Sequence, residues 1–241
     1  MAEILVVGGA SLMGGVVQAV TGFGGAVIIM IFLPLLLSMT AAPAVSDVIT
    51  MTLSFSMMWR YRKWIRWRAI ALPAIIYLAA SSFVIHWSGT FHSAWLKGLF
   101  GVFLIVLALY FWRVSGKMKV TPSFGTQMVC GGLAGICGGL FGISGPPASL
   151  YYLAATEAKE EYLGTLNAFF SVTVVFNLVS RAVNGFLTAK LIPYIVVGVA
   201  AILAGCGIGS RIVMKIDIAV MRKCVYGLMA FAGIVALAQA V

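Results

Sequence analysis

Two glycine-rich interruptions are the first residues in this sequence whose types and spacing suggest chemistry. Both lie between long apolar runs, and their residues are Thr21, Gly22, Phe23, Gly24 and Gly25 in the first and Gly142, Ile143, Ser144, Gly145 and Pro146 in the second. Glycine permits unwound backbone and proline suits the first turn of a helix, so each interruption predicts a helix that breaks and restarts. The start of a helix offers free N–H groups and partial positive charge. We therefore predict an anion-binding site at these residues.

Each break also has a second interpretation, which is close packing of helices through small residues. Backbone amides that are freed at a break cannot stay unpaired in hydrocarbon, so they need protein, water or a ligand as a partner. Interrupted helices at matching places in two halves of a chain are typical of the midplane site of a membrane transporter. The paired occurrence of the breaks therefore favours binding over packing.

Polar side chains embedded in apolar segments supply further candidates. Asp47 is an ionisable group in such a segment, which is costly and by default functional, and we predict that it couples to a proton or cation. A helix N-cap is its alternative role. Asn167 takes the corresponding place in the second half, and Asn177 lies on a polar stripe with Thr173 and Ser180. Both asparagines are predicted to donate hydrogen bonds to the anion.

Two arginines lie near the ends of corresponding segments. Arg60 and Arg181 are predicted to face opposite sides of the membrane and to draw anions toward the two mouths, or to act as gates. Snorkelling of the guanidinium to lipid headgroups is the alternative.

The cysteines and histidines form no metal-ligand pattern. Cys130, Cys137, Cys206 and Cys224 all lie in apolar runs without a CxxC pair, so neither a metal site nor a disulfide framework is predicted. Cys130 and Cys137 share a helix face, which leaves a role in sulfur chemistry open. No hydrolase, P-loop or zinc-protease motif occurs, and the sequence predicts neither an enzyme nor a bound cofactor.

The composition indicates the elements that must position these residues. Of the 241 residues, 62% are apolar and 9% charged, and the mean hydropathy of +1.09 excludes a water-soluble globule. The apolar segments fall at 4–21, 25–40, 44–59, 69–87, 94–113, 126–141, 146–156, 163–180, 191–208 and 224–241. They predict an all-α polytopic protein in contact with membrane lipids. The net charge of +10 is explained by basic loops, without nucleic acid as a partner.

The chain also repeats itself. The first break aligns with the second at a shift of 120 positions, which also pairs Asp47 with Asn167 and Pro73 with Pro193. The repeat predicts two membrane domains, 1–120 and 121–241, each a glycine-broken hairpin followed by three spanning helices. Five segments per half is an odd number, which predicts inverted topology. That topology places 13 of the 16 basic residues on one side of the membrane, as the charge bias of loops requires.

The two breaks and the duplicated layout resemble the sulfite exporter TauE/SafE family, also called the toluene-sulfonate uptake permease superfamily. The resemblance implies a multi-pass transporter of the bacterial inner membrane whose substrate is a small sulfur-containing anion such as sulfite or a sulfonate. The amides at the breaks would then bind the anion, assisted by the Ser144 and Thr21 hydroxyls. Transport across the membrane would proceed by alternating access. An anion channel and a membrane sulfur-relay protein that uses cysteine thiols are the alternatives, and a homo-oligomer is left open.

Overall fold

The computed structural model describes residues 2–114, 121–212, 230–231 and 233–238. The helices in chain order are α1 (Ala2–Thr21), α2 (Gly25–Leu36), α3 (Ala41–Arg60), α4 (Trp67–Ser88), α5 (Ser93–Val114), α6 (Phe124–Phe141), α7 (Gly145–Ala155), α8 (Lys159–Val183) and α9 (Ile192–Ile212). Residues 230–231 and 233–238 are also helical. Within these ranges there is no strand, so the predicted all-α class is confirmed.

Seven of the described helices are long and apolar enough to cross a membrane, and they are α1, α3, α4, α5, α6, α8 and α9. Their outer faces carry exposed apolar side chains, such as Leu5 at 76%, Phe83 at 68% and Val183 at 82% of full exposure. Such faces are the surface that a lipid-embedded bundle presents to acyl chains. The prediction of a polytopic, multi-pass membrane protein is confirmed.

Two helices are too short to span. α2 has 12 residues and α7 has 11. At about 1.5 Å per residue they reach about 18 and 16 Å, roughly half of the hydrocarbon core. Each restarts the chain after α1 or α6 through a turn with positive φ, at Gly22 (84°) and Gly24 (101°) in the first and Gly142 (66°) in the second. Because L side chains rarely adopt such angles, glycine permits both breaks, and the helices break where the sequence predicts.

The main helix contacts of the two halves correspond to one another when the halves are exchanged. α1 packs along α9 and, correspondingly, α6 packs along α4, while α3 meets α8 at the centre. α3 and α8 are antiparallel, since Asp47 contacts Arg181 near one end and the Tyr61 carbonyl lies beside Gly164 at the other. The pattern supports the duplication. The domain boundary at residue 120 and the inverted insertion of the second half stay predictions.

Some of the sequence predictions concern residues outside the described ranges. They are Cys224, residues 115–120 at the predicted boundary between the halves, and most of the apolar segment 224–241. Lys223 and Gly227, which the repeat pairs with Lys97 and Gly101, also lie outside these ranges.

Glycines away from the breaks bring α1 and α9 into backbone contact. A Cβ at Gly205 would overlap the carbonyl oxygen of Leu12. We expect Gly205→Ala to push the helices apart and to lower the free energy of unfolding by about 1–3 kcal/mol, seen as a lower thermal midpoint in detergent. Gly207→Ala is the matched control, since nothing lies within 4 Å of a Cβ there. Equal midpoints for the two variants would contradict the contact.

Candidate functional site

The two helix breaks line one cavity at the centre of the bundle. Its volume is about 40 Å³. The lining residues from the breaks and the helix starts after them are Gly24, Ala26, Val27, Gly142, Ile143, Ser144 and Gly145. The breaks also meet directly, because a Cβ at Gly145 would lie 3.1 Å from the Phe23 ring. The structure therefore brings together two loops that are 120 positions apart in the sequence.

Side chains from four spanning helices complete the cavity wall. They are Gln18 of α1, Asp47, Thr50 and Ser54 of α3, Tyr77 of α4, and Phe170, Thr173, Val174 and Asn177 of α8. Most of them are polar, in a bundle whose apolar content is high. Of the described residues on this wall, Asp47 is the one with a charged side chain. The wall thus offers many hydrogen-bonding groups and a single carboxylate.

The two helix starts differ in how many amides they present. The first turn of α2 consists of Gly25, Ala26 and Val27, whose N–H groups have no partner within the helix. In α7, Pro146 and Pro147 occupy the same turn and carry no N–H. The Ser144 hydroxyl does not cap α7; it lines the cavity and pairs with the Tyr77 phenol. α2 is therefore the richer source of backbone donors for an anion.

Asn167 supports the first break from behind. Its Nδ2 donates to the Leu163 carbonyl at 2.9 Å and lies 3.4 Å from the Gly22 carbonyl. Its Oδ1 accepts from Gln18 Nε2 at 3.4 Å. Asn167 does not line the cavity, so in this conformation its amide pairs with the backbone at the end of α1, and the cavity-side amide is that of Gln18.

The second break is held by a buried ion pair. Arg181 Nε donates to Asp47 Oδ2 at 2.9 Å, and Nη2 donates to the carbonyls of Gly138 (3.0 Å) and Gly139 (2.9 Å) at the end of α6. Those carbonyls carry the negative end of the helix dipole. A Cβ at Gly142 would lie 3.3 Å from Asp47 Oδ1, so the carboxylate touches the turn itself.

The structure places Arg181 differently from the sequence prediction. Its side chain is 1% exposed, so in this conformation it neither stands at a mouth of the bundle nor reaches lipid headgroups. Asp47 lies well inside α3, which begins at Ala41 with Thr40 as its N-cap, so Asp47 does not cap that helix. The long Arg181 side chain turns inward because the carboxylate and two carbonyls supply the acceptors that a buried guanidinium needs.

Asn177 joins the break to α4. Its Nδ2 donates to the Tyr77 hydroxyl at 2.8 Å, and its Oδ1 accepts from Ser81 Oγ at 2.6 Å. Tyr77 packs under Gly138, where a Cβ would overlap the phenol oxygen. The network fixes the Asn177 amide at the cavity wall, where its Nδ2 also lies 3.4 Å from the Gly138 carbonyl. Its role in binding the anion stays a prediction.

Arg60 lies at a second, larger pocket of about 150 Å³. Its other polar lining residues are Ser56, Tyr61, Lys159, Cys206 and Ser210. Leu163 lies between this pocket and the first break, since it lines the pocket and its Cδ2 would be 2.8 Å from a Cβ at Gly22. Two cations thus line the pocket beside the first break, and attraction of an anion by Arg60 stays a prediction.

Comparison with known proteins identifies a family. The family profile described as sulfite exporter TauE/SafE matches residues 7–236, nearly the whole chain. The chain belongs to the TauE/SafE family. No curated protein and no solved structure matches it. Family membership and the spanning helices make this TauE/SafE protein a multi-pass inner-membrane protein of a transporter family, in keeping with the absence of a predicted enzyme activity.

Several predicted residues of this TauE/SafE protein serve the breaks without lining the cavity. They are Thr21, Gly22, Phe23, Gly25, Pro146 and Asn167. The Thr21 hydroxyl, for example, is within hydrogen-bonding distance of the Val17 and Phe23 carbonyls and so braces the turn. Cys130 lines a separate apolar groove, and neither Cys130 nor Cys137 reaches the polar cavity, which disfavours the sulfur-relay alternative.

Gln18 and Tyr77 line the cavity although the sequence analysis did not select them. Gln18 carried a usable signal, since it is a polar residue one turn before the Gly22 break in an otherwise apolar run. Tyr77 carried none, because a tyrosine in a membrane segment is most simply an interfacial residue.

Proposed function

We propose that this TauE/SafE protein is a secondary transporter that binds one small sulfur-containing anion, such as sulfite or a sulfonate, between the first turns of α2 and α7. The observation that carries the proposal is that both helix starts line the same buried cavity. Free amides and the positive ends of two helices converge there, which is how broken helices bind anionic groups. The Ser144 hydroxyl and the Asn177 amide also line the cavity, where an anion would compete for them with Tyr77 and the Gly138 carbonyl, their partners in this conformation.

The size of the cavity supports alternating access. A volume of about 40 Å³ has room for a few waters at most, and less than a sulfonate with its carbon skeleton requires. Under the proposal this conformation is closed, and the cavity opens when one half rocks against the other. The breaks are the natural hinges, because their glycines tolerate changes in φ and ψ that other residues do not.

Under the proposal, an anion reaches the cavity from the pocket lined by Arg60 and Lys159. Both cations attract anions from the aqueous phase, and Leu163 separates their pocket from the first break. We assign Arg60 to attraction of the substrate at this mouth. Arg181 has a different role, because it affects the net charge of the site when an anion is bound.

The proposal predicts that the purified full-length protein binds a sulfur-containing anion. We expect at least one of sulfite, thiosulfate, sulfoacetate, taurine and sulfate to give saturable heat in titration calorimetry and to raise the thermal midpoint in detergent, because a ligand that binds only the folded state stabilises it. Chloride at the same ionic strength is the control. If all five compounds, four anions and the zwitterion taurine, behave like chloride, the proposed function is wrong.

Flux in proteoliposomes separates a carrier from the channel alternative. A carrier accumulates the labelled anion against its gradient when a proton or cation gradient is imposed, and it exchanges internal for external anion. Downhill flux that ignores every imposed ion gradient would identify a channel instead.

A further inference from the structure

Arg181 is a buried cation that donates hydrogen bonds to two kinds of acceptor. Its Nη2 is held by two backbone carbonyls of α6, while its Nε is held by the Asp47 carboxylate. The carbonyls belong to the helix and stay with it. The carboxylate is the only one of these acceptors that can gain a proton and lose its charge. Arg181 can therefore keep its position while its counter-ion changes.

Asp47 stands between Arg181 and the cavity. Asp47 lines the cavity wall together with Gly142 and Ser144, whereas Arg181 lies outside that wall and behind the carboxylate. An anion at the helix starts would meet the negative charge of Asp47 at close range, in surroundings where charges are weakly screened. The same anion would be attracted by Arg181 if the carboxylate were neutral.

We propose that Asp47 and the transported anion take turns as the counter-ion of Arg181, so that each anion binds together with one proton on Asp47. The proton comes from water on the side to which the cavity is open, and it leaves with the anion on the other side. Anion and ionised Asp47 together would give the site one negative charge too many for Arg181 to balance. Protonation of Asp47 restores the balance for a monovalent anion.

The repeat supports a ratio of one proton per anion. Asn167 occupies the position in the second half that corresponds to Asp47 in the first, and an amide does not titrate in this pH range. It bonds the end of α1 much as the ion pair braces the end of α6. Of the two equivalent positions, 47 and 167, position 47 alone carries an ionisable side chain.

The other ionisable groups that surround Asp47 can be named. Arg181 reaches it from α8, and the Tyr77 phenol of α4 is close enough to interact electrostatically with both Asp47 and Arg181. Among the described residues, α2 carries no titratable side chain. The remaining ionisable residues of the other helices packed on α3 are Glu3, Cys130, Cys137, Tyr194, Cys206 and Arg211, and none of them acts on Asp47. Asp47 is therefore the group whose protonation the anion controls.

This inference rests on the proposed function, and wild-type protein tests it first. Binding is titrated in weakly buffered detergent solution between about pH 5.5 and 8, with the same five compounds and with methanesulfonate, which is a monovalent anion throughout this range. At the alkaline end we expect uptake of about one proton per anion bound, and affinity that falls about tenfold per pH unit, as linkage to one proton requires. Sulfite titrates in this range by itself, so its proton uptake is taken as the difference between wild type and Asp47→Asn.

Asp47→Asn should bind the anion without proton uptake and with affinity that no longer depends on pH. In proteoliposomes it should exchange anions but fail to accumulate them in response to a pH gradient. Glu161→Gln is the matched control, because it removes the acid of the pair with Arg66, lines neither the cavity nor the Arg60 pocket, and should behave like wild type.

The possible outcomes distinguish failure of this inference from failure of the proposed function. If no anion binds wild type, both are wrong. If wild type binds an anion without proton uptake, or if Asp47→Asn keeps the pH dependence of wild type, the exchange of counter-ions is wrong and the binding site stands. The wild-type measurement decides the question even where Asp47→Asn fails to fold.

Discussion

Arg181→Gln is expected to lower the free energy of unfolding by about 3–5 kcal/mol, which is the cost of leaving a buried charge without its partner. The substitution strands the Asp47 carboxylate, whose side chain is 4% exposed. It also removes the donor that Gly138 and Gly139 share at the end of α6. The measurement is the thermal midpoint and the folded, monodisperse fraction of the protein in detergent.

A double-mutant cycle identifies the source of that loss. Asp47→Asn combined with Arg181→Gln should recover a large part of the stability, because replacing both charges removes the stranded one. Arg66→Gln serves as the control, since it breaks the exposed pair with Glu161 and should cost less than about 1 kcal/mol. If Arg181→Gln is no more destabilising than Arg66→Gln, the ion pair does not hold the second break.

Ala26→Pro is expected to weaken anion binding between about tenfold and 100-fold, because it removes one N–H donor from the first turn of α2. Ala26 lines the cavity, and a hydrogen bond to a charged ligand is among the stronger ones. The helix should tolerate the change, since α7 already has Pro146 and Pro147 in its own first turn. Titration calorimetry with the tightest-binding anion of the panel measures the effect.

Pro146→Ala is the reciprocal variant. It gives α7 an additional N–H at its start, so the affinity should stay equal or increase, while the thermal midpoint changes little. Unchanged affinity in a folded Ala26→Pro protein would contradict the assignment of α2 as the main source of backbone donors.

Both predictions depend on a difference between two halves that are otherwise arranged alike. The two halves share their broken hairpins and their pattern of helix contacts, but the first break is braced by amides, from Asn167 and Gln18, and the second by the Arg181–Asp47 pair. Symmetry supplies a cavity with two converging helix starts. The difference between the halves supplies the charge that responds to a proton, and it confines that response to one of the two breaks.

The sequence by itself determined the membrane class, the α-helical elements and the places where two helices break. Each of these follows from local properties: apolar length sets the spans, and glycine at positive φ permits the turns at Gly22, Gly24 and Gly142. The breaks and the spanning helices could therefore be predicted without knowing which helix packs on which.

Only the tertiary structure decided what the polar residues do. Asp47 and Arg181 are 134 positions apart, and nothing in either segment indicates the other as a partner. The sequence analysis placed Arg181 at a mouth because an arginine near a helix end usually reaches toward water. It turns inward because the end of α6 and the Asp47 carboxylate meet there, and that meeting depends on how α3, α6 and α8 pack. Pairing of buried charges is a property of packing, which local sequence does not encode.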